Sequence, residues 1–376
     1  MTLSHFSFAG THRDIGLAYG VSCANLVRRH RDLALARLAA SGVSREVALA
    51  VALKYRPFVL AHAPYLDEEI SGVAEGAEIS LSEAYLLQLR AEVYAQVLGR
   101  PEASNECTTF AATGEATRDG VVLAGQNADL PAIYQELMIV MELKPTGKPA
   151  VLMVTPVGQV SYIGMSANGM AVFANFLHCE GWSLGFPRYL LSRFALAHGT
   201  VDAALVALEN LPRASSRHLM MIDASGRAVS YENTPRTGAV IEPLDGLAIH
   251  ANHYLSTHLA EEERASGITL DNSRIRQARA EELFRAERGR LTAHRAMELF
   301  RDRATAPHAL SVELDDDPQP DPLHAHVTVA SAVASPRTGE LWVSSGPPSS
   351  SPHTRYAFGS ATDASGQVTT GASRES

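Results

Sequence analysis

Cysteine is scarce in this chain: Cys23, Cys107 and Cys179 are the three among 376 residues, an odd number with no CxxC pair. That excludes a disulfide framework and a zinc ribbon, and it fits a reducing compartment. Lysine is scarcer still relative to arginine, with Lys54, Lys144 and Lys148 among 32 basic residues, a bias that carries no functional argument. No run of basic residues exceeds a pair, and the net charge is -9 with a pI of about 5.9. An electrostatic footprint for nucleic acid or an anionic membrane is therefore missing. The opening MTLSHFSFAG has neither the basic nor the apolar region of a signal peptide, and no apolar stretch reaches the roughly 18 residues of a membrane span. The expectation is a cytoplasmic protein. Repeats at a period of about 20 to 50 residues are absent as well.

What is present is the material of a large core. Hydrophobic residues make up 46% and charged residues 19%, which is ordinary for a globular chain and sets aside disorder and coiled coil. Up to about residue 100 the spacing reads as helix: Thr11 to about Ala40, Ser44 to Ala61, and a stretch from about Leu81 to Leu98 announced by the capping box Ser80 and Glu83. Gly99 and Pro101 end that last helix, and a polar stretch runs on to Glu106. At Cys107 the period becomes strand-like. CTTFAATG, GVVLAGQN, ELMIVMEL, AVLMVTPVG and VSYIGMSANGMAVFANFL read as antiparallel hairpins. Helices follow at Phe186 to Ala197 and Val201 to Leu211, then strands HLMMID, AVSYEN, GAVIEP and LAIHAN. A charged helical pair at Asp271 to Arg288 and Thr292 to Arg301 precedes a last hairpin, HVTVASAVASP and GELWVSSG. The fold class is α+β, a sheet system with helices packed against it.

Cys107 opens the first of these hairpins and is followed by Thr108 and Thr109. A cysteine there can be a small buried hydrophobe. It can also be a nucleophile with a definite mechanism. Attack of the Cys107 thiol on the Glu106 carbonyl, an N to S acyl shift and hydrolysis would leave Cys107 with a free α-amine. Such an amine has a pKa of about 7.7 to 8 and can take the thiol proton itself.

The stretches NECTTFAATG, GQNAD, GMSANGMAVFANFL and HANHYL, in this order, resemble the N-terminal nucleophile hydrolases of the acyl-CoA:6-aminopenicillanic acid (isopenicillin N) acyltransferase type. The upstream EEISGVAEGAEISLSEAYLLQLRAEVY is similar to that family's pro-region, and the resemblance runs over roughly residues 5 to 350. It implies a four-layer αββα sandwich. Residues 1–106 would be a helical pro-region kept as a separate chain after cleavage, 107–358 the catalytic core and 359–376 a flexible tail. Cys107 would be both the self-processing residue and the nucleophile. Asp129 matches the acidic residue that supports maturation, and Asn252 the asparagine whose amide donates to the oxyanion. Asn168 and Asn175 match polar pocket residues. Glu106 stands where the family has small residues, which implies slow cleavage. For the family's late basic residue Arg274, Arg276 and Arg337 compete.

Other readings of these residues stay open. Asn168 in Ser-Ala-Asn-Gly suits a turn, and Asp129 suits a cap. His250 with His253, and His324 with His326, form pairs that a metal-dependent hydrolase could use, although further ligands at a recognisable spacing are missing. The expected activity is acyl transfer from a small amide or peptide to water, with no cofactor and no metal. A CoA-dependent N-acyltransferase is the first alternative, its CoA phosphates answered by Arg188, Arg193 or Arg217. An uncleaved ligand-binding relative is the second. Expected partners are the small amide substrate and the chain's own N-terminal fragment, with homo-oligomerisation left open.

Overall fold

The computed structural model describes residues 2–99, 106–316 and 325–359. Two sheets form its centre. The first runs in the order β1 (Ser4–Gly10), β4 (Met138–Pro145), β5 (Val151–Pro156), β6 (Ile163–Ser166), β7 (Met170–Asn175), β8 (Arg217–Asp223), β9 (Ala228–Asn233) and β10 (Gly238–Ile241). The second runs β11 (Leu247–His250), β2 (Glu106–Ala112), β3 (Leu123–Pro131), β12 (His326–Ser335), β13 (Glu340–Ser344) and β14 (His353–Ala357). Neighbours are antiparallel throughout except β1 and β4, which are parallel.

Residue after residue of β3, β5, β7 and β8 is buried, where a strand with one wet face would alternate. The reason is covering on both sides. Strands β2 and β3 face β7 and β8 across the interior. Helices α8 (Leu191–Leu196) and α9 (Val201–Glu209) cover the first sheet, and α10 (Gly267–Ala286) and α11 (Ala293–Leu299) cover the second. The layers are therefore helix, sheet, sheet, helix. One core cluster joins the first sheet to the N-terminal helices, and another packs Phe110 against Phe284 and Phe300 beneath α10 and α11.

The all-helical reading of the first hundred residues needs correction at its start. Phe6 and Phe8 of β1 turn into the core, and the strand pairs with β4, more than 130 residues away, a partner that local spacing cannot announce. The N-terminal block is thus woven into the sandwich. Its helices are α1 (His12–Ser22), α2 (Ala24–Ala40), α3 (Arg45–Leu53), α4 (Arg56–His62), α5 (Pro64–Gly76), α6 (Leu81–Gln88) and α7 (Arg90–Leu98). Gly16 and Gly20 of α1 meet Gly72 and Gly76 of α5, and a methyl group at any of the four would overlap the facing helix's backbone. The four glycines are the contact surface between the two helices. The capping box at Ser80 and Glu83 is formed, and Gly99 closes α7 with φ 69°. The single helix expected between them breaks at Leu89 (φ −152°). There the Gln88 side chain leaves the helix to bond Gly158 O at 2.8 Å and Val160 N at 3.0 Å. Strand β14 was not foreseen. The tail expectation from residue 360 on, and His324, lie outside the described residues.

Candidate active site

Strand β2 enters the interior at Cys107, across the ladder from Ala128, with Glu106 opposite Asp129. Everything around the Cys107 main chain is paired. Its N–H donates to Asn252 Oδ1 at 2.8 Å. Its carbonyl accepts from Asn175 Nδ2 at 3.0 Å and from Arg276 Nη1 at 2.6 Å. Arg276, fully buried on α10, also donates to Thr108 Oγ1 at 3.0 Å, Asn252 Oδ1 at 2.9 Å and, through Nε, Asn272 Oδ1 at 2.6 Å. Of the three competing late arginines, Arg276 is the one brought here. Arg274 is exposed on the same helix, and Arg337 donates to the carbonyls of Ala224 and Gly120.

Two donors on Asn252 Oδ1 set the direction of that amide, and its Nδ2 donates to the Phe176 carbonyl at 3.0 Å. The expected oxyanion donor thus grips the Cys107 N–H with its oxygen in the intact chain. Asp129 Oδ1 accepts from Thr328 Oγ1 at 2.6 Å on β12. Asn175, expected to touch substrate, lies beneath Cys107 instead. It donates to the carbonyls of Cys107 and His250 and accepts from Thr109 Oγ1 and His218 Nδ1, which uses the whole capacity of the amide. Asn168 is not brought here. It stays exposed in the turn between β6 and β7, bonded to Ser166 Oγ, roughly 20 Å of strand from Asn175. Its Ser-Ala-Asn-Gly context reflects the turn.

Behind Asn175 lies a buried network of which sequence reasoning singled out only His250 and His253, as a candidate metal pair. His218 and His250 stack with centroids 3.6 Å apart; His218 Nε2 meets Ser230 Oγ and His250 Nε2 meets Glu232 Oε1, each at 2.7 Å. His253 meets Ser273 Oγ. For His218 the signal was the run HLMMID, a histidine at the head of an apolar strand. Among the described residues no group of three His, Cys, Asp or Glu is arranged to hold a metal ion.

The thiol side differs from the main-chain side. The Cys107 side chain lines a cleft of about 190 Å³ with Tyr162, Ala174, Phe176, Arg188, Tyr189 and Arg217. Burial pushes the thiol up to about 11, and the Asp129 carboxylate adds to the rise; the Asp129 backbone N–H and the Arg276 and Arg217 guanidinium groups oppose it. The Tyr162 hydroxyl is a hydrogen-bond partner of the sulfur and is itself raised by burial and by the neighbouring thiol. Cys23 and Cys179 are buried free thiols, both raised by burial. A larger cleft of about 710 Å³, lined by His12, Tyr65, Lys148 and Arg193 among others, does not include Cys107.

Residues 116–350 match the family model described as acyl-coenzyme A:6-aminopenicillanic acid acyl-transferase. The chain belongs to that family. Its two stacked sheets between helices are the αββα sandwich of the N-terminal nucleophile hydrolases, and it is an enzyme that hydrolyses amide bonds or transfers acyl groups at them. The match begins after Cys107. The acyl-coenzyme A:6-aminopenicillanic-acid-acyltransferase 40 kDa form of Emericella nidulans is 27% identical over 257 residues, 68% of this chain and 70% of the relative. A mutant of the conjugated bile acid hydrolase from Clostridium perfringens is 15% identical with a TM-score of 0.47, over 67% of this chain and 92% of that one. Penicillin V acylase from Agrobacterium tumefaciens is 15% identical with a TM-score of 0.46, over 67% and 86%. Among the described residues no helix is long and apolar enough to cross a membrane.

Proposed function

We propose that this chain is a self-processing amide hydrolase whose nucleophile is Cys107, released by cleavage of the Glu106–Cys107 bond. The observation that carries the reading is the cage around the Cys107 main chain, with Asn252 on its N–H and Arg276 and Asn175 on its carbonyl, while the thiol faces a cleft. In maturation the thiol adds to the Glu106 carbonyl, the C–N bond breaks as the acyl group moves to sulfur, and water hydrolyses the thioester. The products are a Glu106 carboxylate and a free α-amine and thiol on Cys107. Asp129, opposite Glu106 in the ladder, is the carboxylate beside the bond that breaks.

In turnover the α-amine takes the thiol proton, and the thiolate attacks the substrate amide. The tetrahedral oxyanion collapses as the α-ammonium protonates the leaving amine, and water then releases the acid from the thioester. A buried thiol raised to about 11 needs this built-in base at neutral pH. Asn252 Oδ1 already holds the nitrogen that becomes the amine. Arg276, one bond further out, favours the neutral amine by like-charge repulsion, which keeps it a base. Freed from Phe176 O, the Asn252 Nδ2 serves as the oxyanion donor; losing one such donor costs about two to three orders of magnitude in rate. Residues 1–106 remain as the first chain of a heterodimer, held by β1 and the helices packed on the sandwich.

Family membership favours a second reading of the acceptor step, in which an acyl-CoA thioester acylates Cys107 and an amine accepts the group. Both readings share the acyl-enzyme. Intact mass and N-terminal sequencing of wild type and Cys107→Ala test the core of the proposal: two associated chains, the second starting at Cys107, are expected for wild type and one intact chain for the variant. A wild type that stays whole and leaves Cys107 unreactive to iodoacetamide overturns it. Release of free CoA thiol from acyl-CoA only when an amine is added would select transfer over hydrolysis.

A further inference from the structure

Arg188 and Arg217 are among the least exposed side chains in the molecule, at 1% and 2%, and both line the 190 Å³ cleft beside the Cys107 thiol. Their guanidinium carbons each lie 4.8 Å from the centre of the Tyr189 ring, and that of Arg188 lies 4.1 Å from the Phe176 ring. Aromatic faces hold them in place but do not neutralise them. Among the described residues neither is in an ion pair, and Nε and Nη1 of Arg188 and Nε and Nη2 of Arg217 lack hydrogen-bond partners. The nearby carboxylate of Glu92 accepts through Oε1 from the backbone N–H of Arg188 at 2.9 Å and from Ser215 Oγ at 3.1 Å; among the described residues its Oε2 has no hydrogen-bond partner, and the carboxylate forms no ion pair with either guanidinium. Two buried cations in one small cavity repel each other, and each has lost its water; this arrangement is unfavourable until an anion enters.

We infer that Arg188 and Arg217 form a receptor for a carboxylate on the substrate, so that the enzyme acts on small amides bearing a carboxylate a few bonds from the scissile carbonyl. The inference rests on the reading of Cys107 as the nucleophile. Guanidinium forks match carboxylates in geometry as well as charge. The two arginines line the same small cleft as the sulfur, too close to it for the phosphates of coenzyme A, which the length of the pantetheine arm separates from a reacting thioester. Six other side chains close around the sulfur, which leaves room beside the thiol for only a short acyl or amine part.

The carboxylate can come from either side of the amide, and two matched pairs of probes separate these sources. On processed wild-type enzyme, kcat/KM is compared for succinyl against butyryl p-nitroanilide, and for N-butyrylglycine against N-butyrylglycinamide. The charged member of one pair is expected to be favoured by about ten- to a hundredfold, and Arg217→Met and Arg188→Met are each expected to bring that ratio near one. Preference within the first pair assigns the carboxylate to the acyl part, within the second to the amine. Equal or inverted ratios in both pairs, with neutral members turned over by a processed enzyme, overturn the receptor and leave the nucleophile standing. If the chain is neither processed nor active, the nucleophile reading is what fails. The receptor is then judged on the intact chain by titration calorimetry with glutarate against glutaramide. Binding of glutarate alone, lost in Arg217→Met, supports it, and no difference between the two overturns it.

Discussion

Two clefts of this molecule hold cations under opposite conditions. In the larger one Arg193 is 3% exposed and fully answered: Nη2 meets Glu69 Oε1 at 2.8 Å, Nη1 meets Glu69 Oε2 at 3.1 Å and Val160 O at 2.9 Å, and His12 binds the same carboxylate at 2.7 Å. In the smaller one Arg188 and Arg217 are equally buried and meet no carboxylate among the described residues. The buried arginine of the larger cleft has its counter-ion, and those of the small one beside Cys107 do not. Unpaired charge, more than size, marks where a ligand belongs. Arg276 is a third case, a buried cation surrounded by neutral oxygens of Cys107, Thr108, Asn252 and Asn272.

Changes at these arginines break or sharpen the contrast. The largest effect is expected at Arg276, where Arg276→Met strips the Cys107 carbonyl and Asn252 Oδ1 of a shared donor; appearance of the second chain should slow at least about a hundredfold on a time course by mass spectrometry. Processing at the wild-type rate would leave Arg276 a purely structural cation. Next is Glu69→Gln, which turns Arg193 into a buried charge without its counter-ion and should cost about 3 to 5 kcal/mol in urea denaturation. In the same assay Arg217→Met should be neutral or stabilising, by up to about 1 kcal/mol, since it removes a charge that nothing in the folded chain answers. If both variants lose stability alike, the distinction between the clefts collapses.

The smallest effect is a pH dependence. Burial holds His30 down to about 3 and His218 well below its ordinary value, so both stay neutral in the folded chain and take up protons only on unfolding. Their contribution is complete above the unfolded value of 6.5 and lost as pH falls below it. Burial works to raise the Glu69 carboxyl, but Arg193 and His12 outweigh it and hold it low; its contribution is present above 4.5 and lost as pH falls through the lower folded value. Melting temperature should therefore drop from pH 7 towards pH 5 in wild type and Glu69→Gln alike. Below 4.5 the wild type should fall more steeply than Glu69→Gln, in which the other lowered carboxylates such as Glu83 and Glu340 still titrate.

Much of this protein was legible along the chain because it rests on local rules. The strand runs from Cys107 onward, the Ser80 and Glu83 capping box and the αL glycine after α7 depend on side chains within a few residues of one another. Cys107, Asp129 and Asn252 could be picked out because short motifs surround them. Asn168 and Asn175 show the limit. Seven positions apart in one hairpin, one sits in an exposed turn and the other under the nucleophile candidate, and only the packing of β7 against β2 separates them. The same holds for β1, whose partner comes from another part of the chain, and for the four glycines, whose function is a surface shared between α1 and α5.

By itself, then, the sequence determined most of the elements, the candidate nucleophile and the family, because periodicity, caps and motifs are properties of neighbours in the chain. Which arginine reaches Cys107, and which arginines are left without a counter-ion, was decided only by the tertiary structure. Burial and pairing depend on what the rest of the chain brings within a few ångströms, and no local pattern records that.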